Sequence, residues 1–123
     1  MRVVLLQSAE ADLKDLKIYI VRNFGKDVWL ASYGQIKESV AMIQDHPKAG
    51  RIPPELESLN IAQYRQVLSG MNRIIYELRD DSAYIHIVCD TRRDLRGLLM
   101  KRLVSPVDTA PTPSGSIRRL PKN

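Results

Sequence analysis

The chain is poor in the groups that covalent frameworks and much of catalysis depend on: its 123 residues include one cysteine, two histidines, one tryptophan and one phenylalanine. The lone Cys89 excludes an internal disulfide scaffold and a cysteine-built zinc site, and its place in an apolar run marks it as a small core residue of a reducing compartment. No apolar stretch approaches the roughly 20 residues needed to span a bilayer. The opening Met-Arg-Val-Val-Leu-Leu reaches Gln7, Ser8 and Glu10 too soon for a secretory signal, so a cytoplasmic protein is expected. Nucleophile elbow, phosphate-binding glycine loop, HExxH and CxxC are all absent, which removes the common hydrolase, nucleotide-binding and metal classes. No metal or cofactor is expected.

What the chain does have in excess is arginine, and only in one half. Residues 1–62 balance at eight basic against eight acidic side chains, whereas residues 63–123 carry eleven against six, nine of the eleven being arginine. Arginine pairs bidentately with carboxylate or phosphate, so an anionic partner, nucleic acid or acidic protein, fits this half. An ordinary solvated basic surface fits it equally.

Periodicity supplies the elements. Residues 2–6 form a valine-rich run expected as a strand buried on both faces rather than at an edge. Ser8 is the expected N-cap of a first helix striped by Ala9, Leu13, Leu16, Ile20 and Phe24, which Gly25 ends. Asp27 is the expected cap of a second, striped by Trp29, Tyr33, Ile36, Val40 and Ile43 and stopped at His46-Pro47. Residues 46–54 form a proline-rich connection. Three strand patterns follow, at 63–68, 73–78 and 84–89, joined by turn residues into an antiparallel meander. In the second, Ile74, Tyr76 and Leu78 share one face and Arg73, Ile75 and Glu77 the other. In the third, Ile85, Ile87 and Cys89 are expected on one face. Asp94 caps a short helix striped by Leu95, Leu98, Leu99 and Leu103, which Gly97 weakens, so this helix is expected to be loosely held. Residues 1–104 then make one α+β domain of order β-α-α-β-β-β plus a short helix, and 105–123 a flexible basic tail. The exposed face of the meander is expected to gather Arg65, Arg73, Arg92 and Arg93, with no clear general acid or base beside them.

Five pieces in order carry a family resemblance: Ser8-Ala9-Glu10-Ala11-Asp12-Leu13 at the first helix, His46-Pro47 with Gly50, Tyr64-Arg65, Arg73-Ile74-Ile75-Tyr76-Glu77, and Arg92-Arg93-Asp94-Leu95. Together they resemble the RelE/ParE superfamily of toxins from bacterial type II toxin–antitoxin pairs. That resemblance implies a small, mostly antiparallel sheet with an N-terminal strand, covered by a helical hairpin. It also implies a small ParD-like antitoxin as partner, and one of two activities. The closing Arg-Arg-Asp-Leu and the long hairpin are similar to ParE, the branch that inhibits DNA gyrase. The RelE branch cleaves mRNA on the ribosome and looks for an aromatic or imidazole near the end of the last strand, where this chain has Cys89-Asp90-Thr91.

On the ParE-like reading Arg92, Arg93, Leu95 and Leu99 would contact the target, and Trp29, Tyr33, Arg65 and Arg73 the antitoxin. On the ribonuclease reading Arg65, Arg73 and Arg92 would stabilise the phosphate. Arg65 and Arg73 could equally be structural partners of Glu77 and neighbouring acids. A non-toxic nucleic-acid-binding module using the same arginines is a further alternative.

Overall fold

The computed structural model describes residues 1–103; the expected tail, 105–123, lies outside the described residues. The elements are β1 (Arg2–Leu5), α1 (Gln7–Phe24), α2 (Lys26–Asp45), α3 (Pro54–Glu57), β2 (Tyr64–Ser69), β3 (Asn72–Arg79), β4 (Ser82–Asp90) and α4 (Leu95–Leu103). They build one mixed sheet of order β1-β4-β3-β2, with β2, β3 and β4 as the antiparallel meander and β1 parallel to β4. None of the described helices is long and apolar enough to cross a membrane.

The α1/α2 hairpin covers one face. Ala9 and Leu13 of α1 and Ile36, Val40 and Ile43 of α2 pack on Val3, Leu5, Val67, Ile74, Tyr76 and Ile85 in one buried cluster. Gly25 makes the hairpin turn at φ +96°, a conformation open chiefly to glycine, and its N–H closes α1 on the carbonyls of Ile20 and Val21. Beside the turn, Ile20, Trp29 and Tyr33 form a second cluster, the two rings stacked at 5.1 Å. The far face of the sheet is covered too, where Leu56 of α3 and Leu95 and Leu99 of α4 pack on Tyr64, Ile75, Ile87 and Cys89.

Several local expectations are corrected. The first helix starts at Gln7, one residue before Ser8, and the second at Lys26, before Asp27; neither has a side-chain cap. The chain passes directly from strand or glycine into helix, and the Leu6 carbonyl accepts the Glu10 N–H. Phe24 and Leu103, at the ends of their stripes, are exposed. β1 is an edge strand although Val3, Val4 and Leu5 are buried. Residues 46–54 hold Arg51 in a β-bridge to Gln66, and α3 begins at Pro54, where a proline's missing N–H costs nothing.

The largest correction concerns β4. Ile75 pairs with Ile87 but Tyr76 pairs with Ile85, so His86 is an extra residue, a β-bulge. One inserted residue exchanges the faces of everything beyond it. Ile85 therefore lies under the hairpin while Ile87 and Cys89 lie under α3 and α4.

Gly50 is buried where the 46–54 connection crosses Tyr76, and a Cβ there would collide with the Tyr76 hydroxyl and ring edge. Gly34, in α2, faces open space. Urea unfolding is expected to show Gly50→Ala destabilising the protein by about 2 kcal/mol, the overpacking cost at a site that cannot relax. In the same assay Gly34→Ala should stabilise it by about 0.5–1 kcal/mol.

Candidate functional site

Strand alternation decides what each arginine can reach. Arg65 stands opposite Tyr76 across β2 and β3, so both lie on the hairpin face, whereas Arg73, three residues before Tyr76, projects from the other face. The expected single basic surface of Arg65, Arg73, Arg92 and Arg93 does not form.

Arg65 secures the proline-rich connection. Its Nη1 donates to the carbonyls of Lys48 (3.1 Å) and Gly50 (2.9 Å), while the Tyr76 hydroxyl donates to the Pro47 carbonyl (2.7 Å) and accepts the Gly50 N–H (3.1 Å). Pro47, Gly50, Arg65 and Tyr76, scattered through the sequence motifs, are thus one structural knot.

Arg73 is only 5% exposed and is held by Glu55, not by Glu77. Its Nη1 and Nη2 meet the two Glu55 carboxylate oxygens at 3.2 and 2.7 Å, and the same nitrogens donate to Gln66 Oε1 (3.2 Å) and the Arg93 carbonyl (3.1 Å). The hydrogen bonds from Arg73 hold the Glu55 carboxyl below its ordinary range. Glu77 instead meets Arg79 (3.1 Å) and His86 Nε2 (2.9 Å). His86 is 3% exposed, edge-on to the Tyr64 ring, and therefore far from an accessible acid–base position. Burial pushes the Cys89 thiol up more than Arg73 draws it down, so Cys89 is a neutral core group.

Of the four arginines expected on that surface, Arg92 and Arg93 remain outside the layers, in the turn between β4 and α4, with Arg96 of α4 exposed behind them. Arg92 grips Asp90 through Nε (2.9 Å), Nη2 (3.1 Å) and its own N–H (2.8 Å), which lowers the Asp90 carboxyl. Arg93 uses only its backbone, accepting from Arg73 and donating to Asp90; its guanidinium makes no hydrogen bond or ion pair among the described residues. Beside this turn an open cleft of about 760 Å³ separates α1, with Asp15, Leu16 and Tyr19, from Leu98 of α4.

The cleft has a firm far wall, because α4 is pinned and not loose. Arg102 donates from Nη1 to the His86 carbonyl and from Nη2 to Asp12 Oδ1, both at 2.7 Å, and Asp12 Oδ2 accepts the Val88 N–H at 2.9 Å. The Asp94 carboxylate caps α4 on the Gly97 N–H. Leu95 and Leu99 are buried beneath α4, and Trp29 and Tyr33 are buried in the hairpin, so none of these four offers its side chain to a partner in this conformation; they position the surfaces above them. Arg102 and Tyr19 were not singled out by sequence, since Arg102's partners lie 16 and 90 residues away. Among the described residues no group of three or more His, Cys, Asp or Glu could hold a metal ion.

Comparison with known proteins adds the following. Residues 3–95 match the family model described as the ParE toxin of the type II toxin–antitoxin system parDE. A solved structure titled as the chromosomal ParDE toxin–antitoxin system from P. aeruginosa is similar in fold, with a TM-score of 0.61 at 18% identity over 73% of this chain and 95% of that one. No curated protein matches significantly in sequence.

The Arg73–Glu55 pair generates a pH signature. A carboxyl whose folded pKa is depressed contributes stability that is present above its unfolded pKa and lost as pH falls through the folded value. Burial raises the Asp12 carboxyl despite Arg102 and the Val88 N–H, so its contribution runs the other way, present at low pH and lost as pH rises through the raised folded value. Glu55→Gln is expected to cost about 2 kcal/mol at neutral pH, from losing charged hydrogen bonds to a buried guanidinium, and to lose its penalty as pH falls below the carboxylate range. Thermal melts of both proteins from pH 7 to pH 3 measure this; an equal difference at every pH would contradict it.

Proposed function

The chain belongs to the ParE toxin family of type II toxin–antitoxin systems, and from that premise we propose that it inhibits DNA gyrase and is neutralised by a small cognate antitoxin. The observation that carries the choice of target is the division of the arginines. Cleaving RNA without a metal requires cations to converge on one phosphate, beside a general base and a general acid. Arg65 and Arg73 point from opposite faces of the sheet and are held by the 46–54 connection and by Glu55, so they cannot converge. His86 is enclosed between Glu77 and Tyr64. These placements support an inhibitor that acts by contact and leaves the chemistry to its target.

The contact surface on this reading is the turn carrying Arg92 and Arg93. Arg92 is already oriented by Asp90, and Arg93 is exposed with its guanidinium free to meet an acidic or phosphate group. Leu95 and Leu99 serve it from below by anchoring α4 to the sheet.

Purified protein is expected to abolish gyrase supercoiling while a reporter mRNA stays intact during in vitro translation. Arg92→Ala with Arg93→Ala should weaken that inhibition by about tenfold or more with little change in stability, since exposed ion pairs contribute about 0–1 kcal/mol. Intact supercoiling with cleaved mRNA would reverse the assignment.

A further inference from the structure

The chain has one tryptophan, five tyrosines and one phenylalanine, and the fold accounts for all but two of these rings. Trp29, Tyr33, Tyr64 and Tyr76 are buried, and half-buried Tyr84 lies beneath the Arg79 guanidinium, 4.2 Å from its ring centre. Tyr19 and Phe24 are 56% and 61% exposed. Neither serves the core, since α1 buries Ala9, Leu13 and Ile20. The two exposed rings nevertheless meet. Their centroids are 6.2 Å apart at an interplanar angle of 68°, an edge-to-face pair. The backbone beneath them is held as well, because Asn23 Nδ2 donates to the Tyr19 carbonyl at 2.8 Å and the Gly25 N–H closes the helix on Ile20 and Val21.

This pair adjoins the turn after β4. Tyr19 lines the α1 side of the 760 Å³ cleft that Arg92 and Arg93 also line. It is near enough to act on the Arg92 guanidinium, which holds its proton more tightly because of Asp90 first and Tyr19 after it. The turn itself offers charge without an apolar anchor, since Leu95 and Leu99 are buried beneath α4. Binding energy at protein interfaces concentrates in neighbouring aromatic and arginine side chains. A polyanion is a poorer fit, because Asp12, Asp15 and Asp90 balance Arg92, Arg93 and Arg102 along the cleft. The pair is also a poor platform for stacking bases, because the edge of one ring occupies the face of the other.

We propose that the Tyr19–Phe24 pair is the apolar anchor by which this surface holds its target, and that it enters a pocket on the gyrase protein rather than contacting the DNA that gyrase carries. The inference rests on gyrase being the target. It divides the work between the two sides of the cleft. Arg92 and Arg93 supply oriented charge from the turn, and the two rings supply apolar area from the end of α1. Because the rings and the last helical turn are ordered before contact, little freedom is lost on binding.

Binding of the full-length chain to purified gyrase without DNA, measured beside inhibition of supercoiling, tests this. Tyr19→Ala with Phe24→Ala is expected to weaken both by about tenfold or more and to leave the melting temperature within about 2 °C, since neither ring supports the core. Should the double substitution disturb folding, Phe24→Gln alone carries the same expectation. Tyr19→Phe keeps the ring and should stay within about twofold of the unmodified chain, as should Ile18→Ala, which trims an equally exposed side chain of the same helix. Raising salt from about 50 to about 200 mM should weaken gyrase binding by less than about tenfold, whereas contact with six or more phosphates would cost about a thousandfold. Full potency in the ring variants overturns the anchor and leaves gyrase as the target. So does an equal loss from Ile18→Ala, or binding that needs DNA and shows the steep salt loss. An unmodified chain that leaves supercoiling intact overturns the target reading, and the inference with it.

Discussion

One carboxylate links three elements that the sequence keeps far apart. Asp12, on α1, accepts the Val88 N–H of β4 and the guanidinium of Arg102 on α4, and Arg102 also takes the His86 carbonyl. These bonds answer a problem created by the bulge. Inserting His86 breaks the regular ladder, and β1 ends at Leu5 without covering the backbone beyond, so polar groups of an inner strand would be left without a strand partner. Side chains take the place of the missing strand. Burial makes the Asp12 carboxylate costly to ionise, and the bonds to both of its oxygens lessen that cost without cancelling it. The same insertion turns Ile87 and Cys89 toward α3 and α4, giving those helices an apolar floor. The hairpin face, the far face and the seat of α4 are all set by one extra residue in β4.

That dependence explains where sequence reading succeeds. The stripes of α1 and α2 are legible because a 3.6-residue period over 18 and 20 residues has no other good packing solution, and all five expected α2 positions are buried. The faces of β3 are legible from its period of two, with Ile74 and Tyr76 under the hairpin and Arg73 and Ile75 on the other side. β4 is not. Tyr84-Ile85-His86-Ile87-Val88-Cys89 reads as an unbroken alternation, and nothing local tells the reader that His86 is the inserted residue. The N-caps are Leu6 and Gly25, two residues before Ser8 and Asp27, whose side chains have the preferred chemistry, because the tight entries from Leu6 and Gly25 already fix the first turns.

The motif residues need a different account. His46-Pro47, Gly50, Tyr64-Arg65 and the Tyr76 strand invite a functional reading because charged and aromatic side chains recur in them. In the fold they hold one another. Arg65 and Tyr76 close the connection against the sheet edge, Gly50 permits the close approach, and Arg51 pairs with Gln66 to continue it. Arg73 closes the other face through Glu55, Gln66 and the Arg93 carbonyl. A buried guanidinium with both terminal nitrogens engaged is hard to recruit to a ligand, since removing it from Glu55 would leave a carboxylate without its counter-charge.

Arginine count and basic surface are therefore separate quantities in this chain. Arg65, Arg73 and Arg102 are consumed by carbonyls and carboxylates of the protein itself, and each bond is made by a planar donor group that lysine could not reproduce. The exposed positive charge left on this side of the fold includes Arg92 and Arg93 in the turn after β4, with Arg96 and Lys101 of α4 behind them. That turn is not a free loop. The Arg93 carbonyl is bonded to Arg73, Arg92 is clasped to Asp90, and α4 begins at once behind an Asp94 cap. Orienting these residues before contact lowers the entropy lost on binding, which is how a small surface with two arginines can be selective without a deep pocket. The buried arginines thus act on function indirectly, by fixing the backbone from which the exposed ones project.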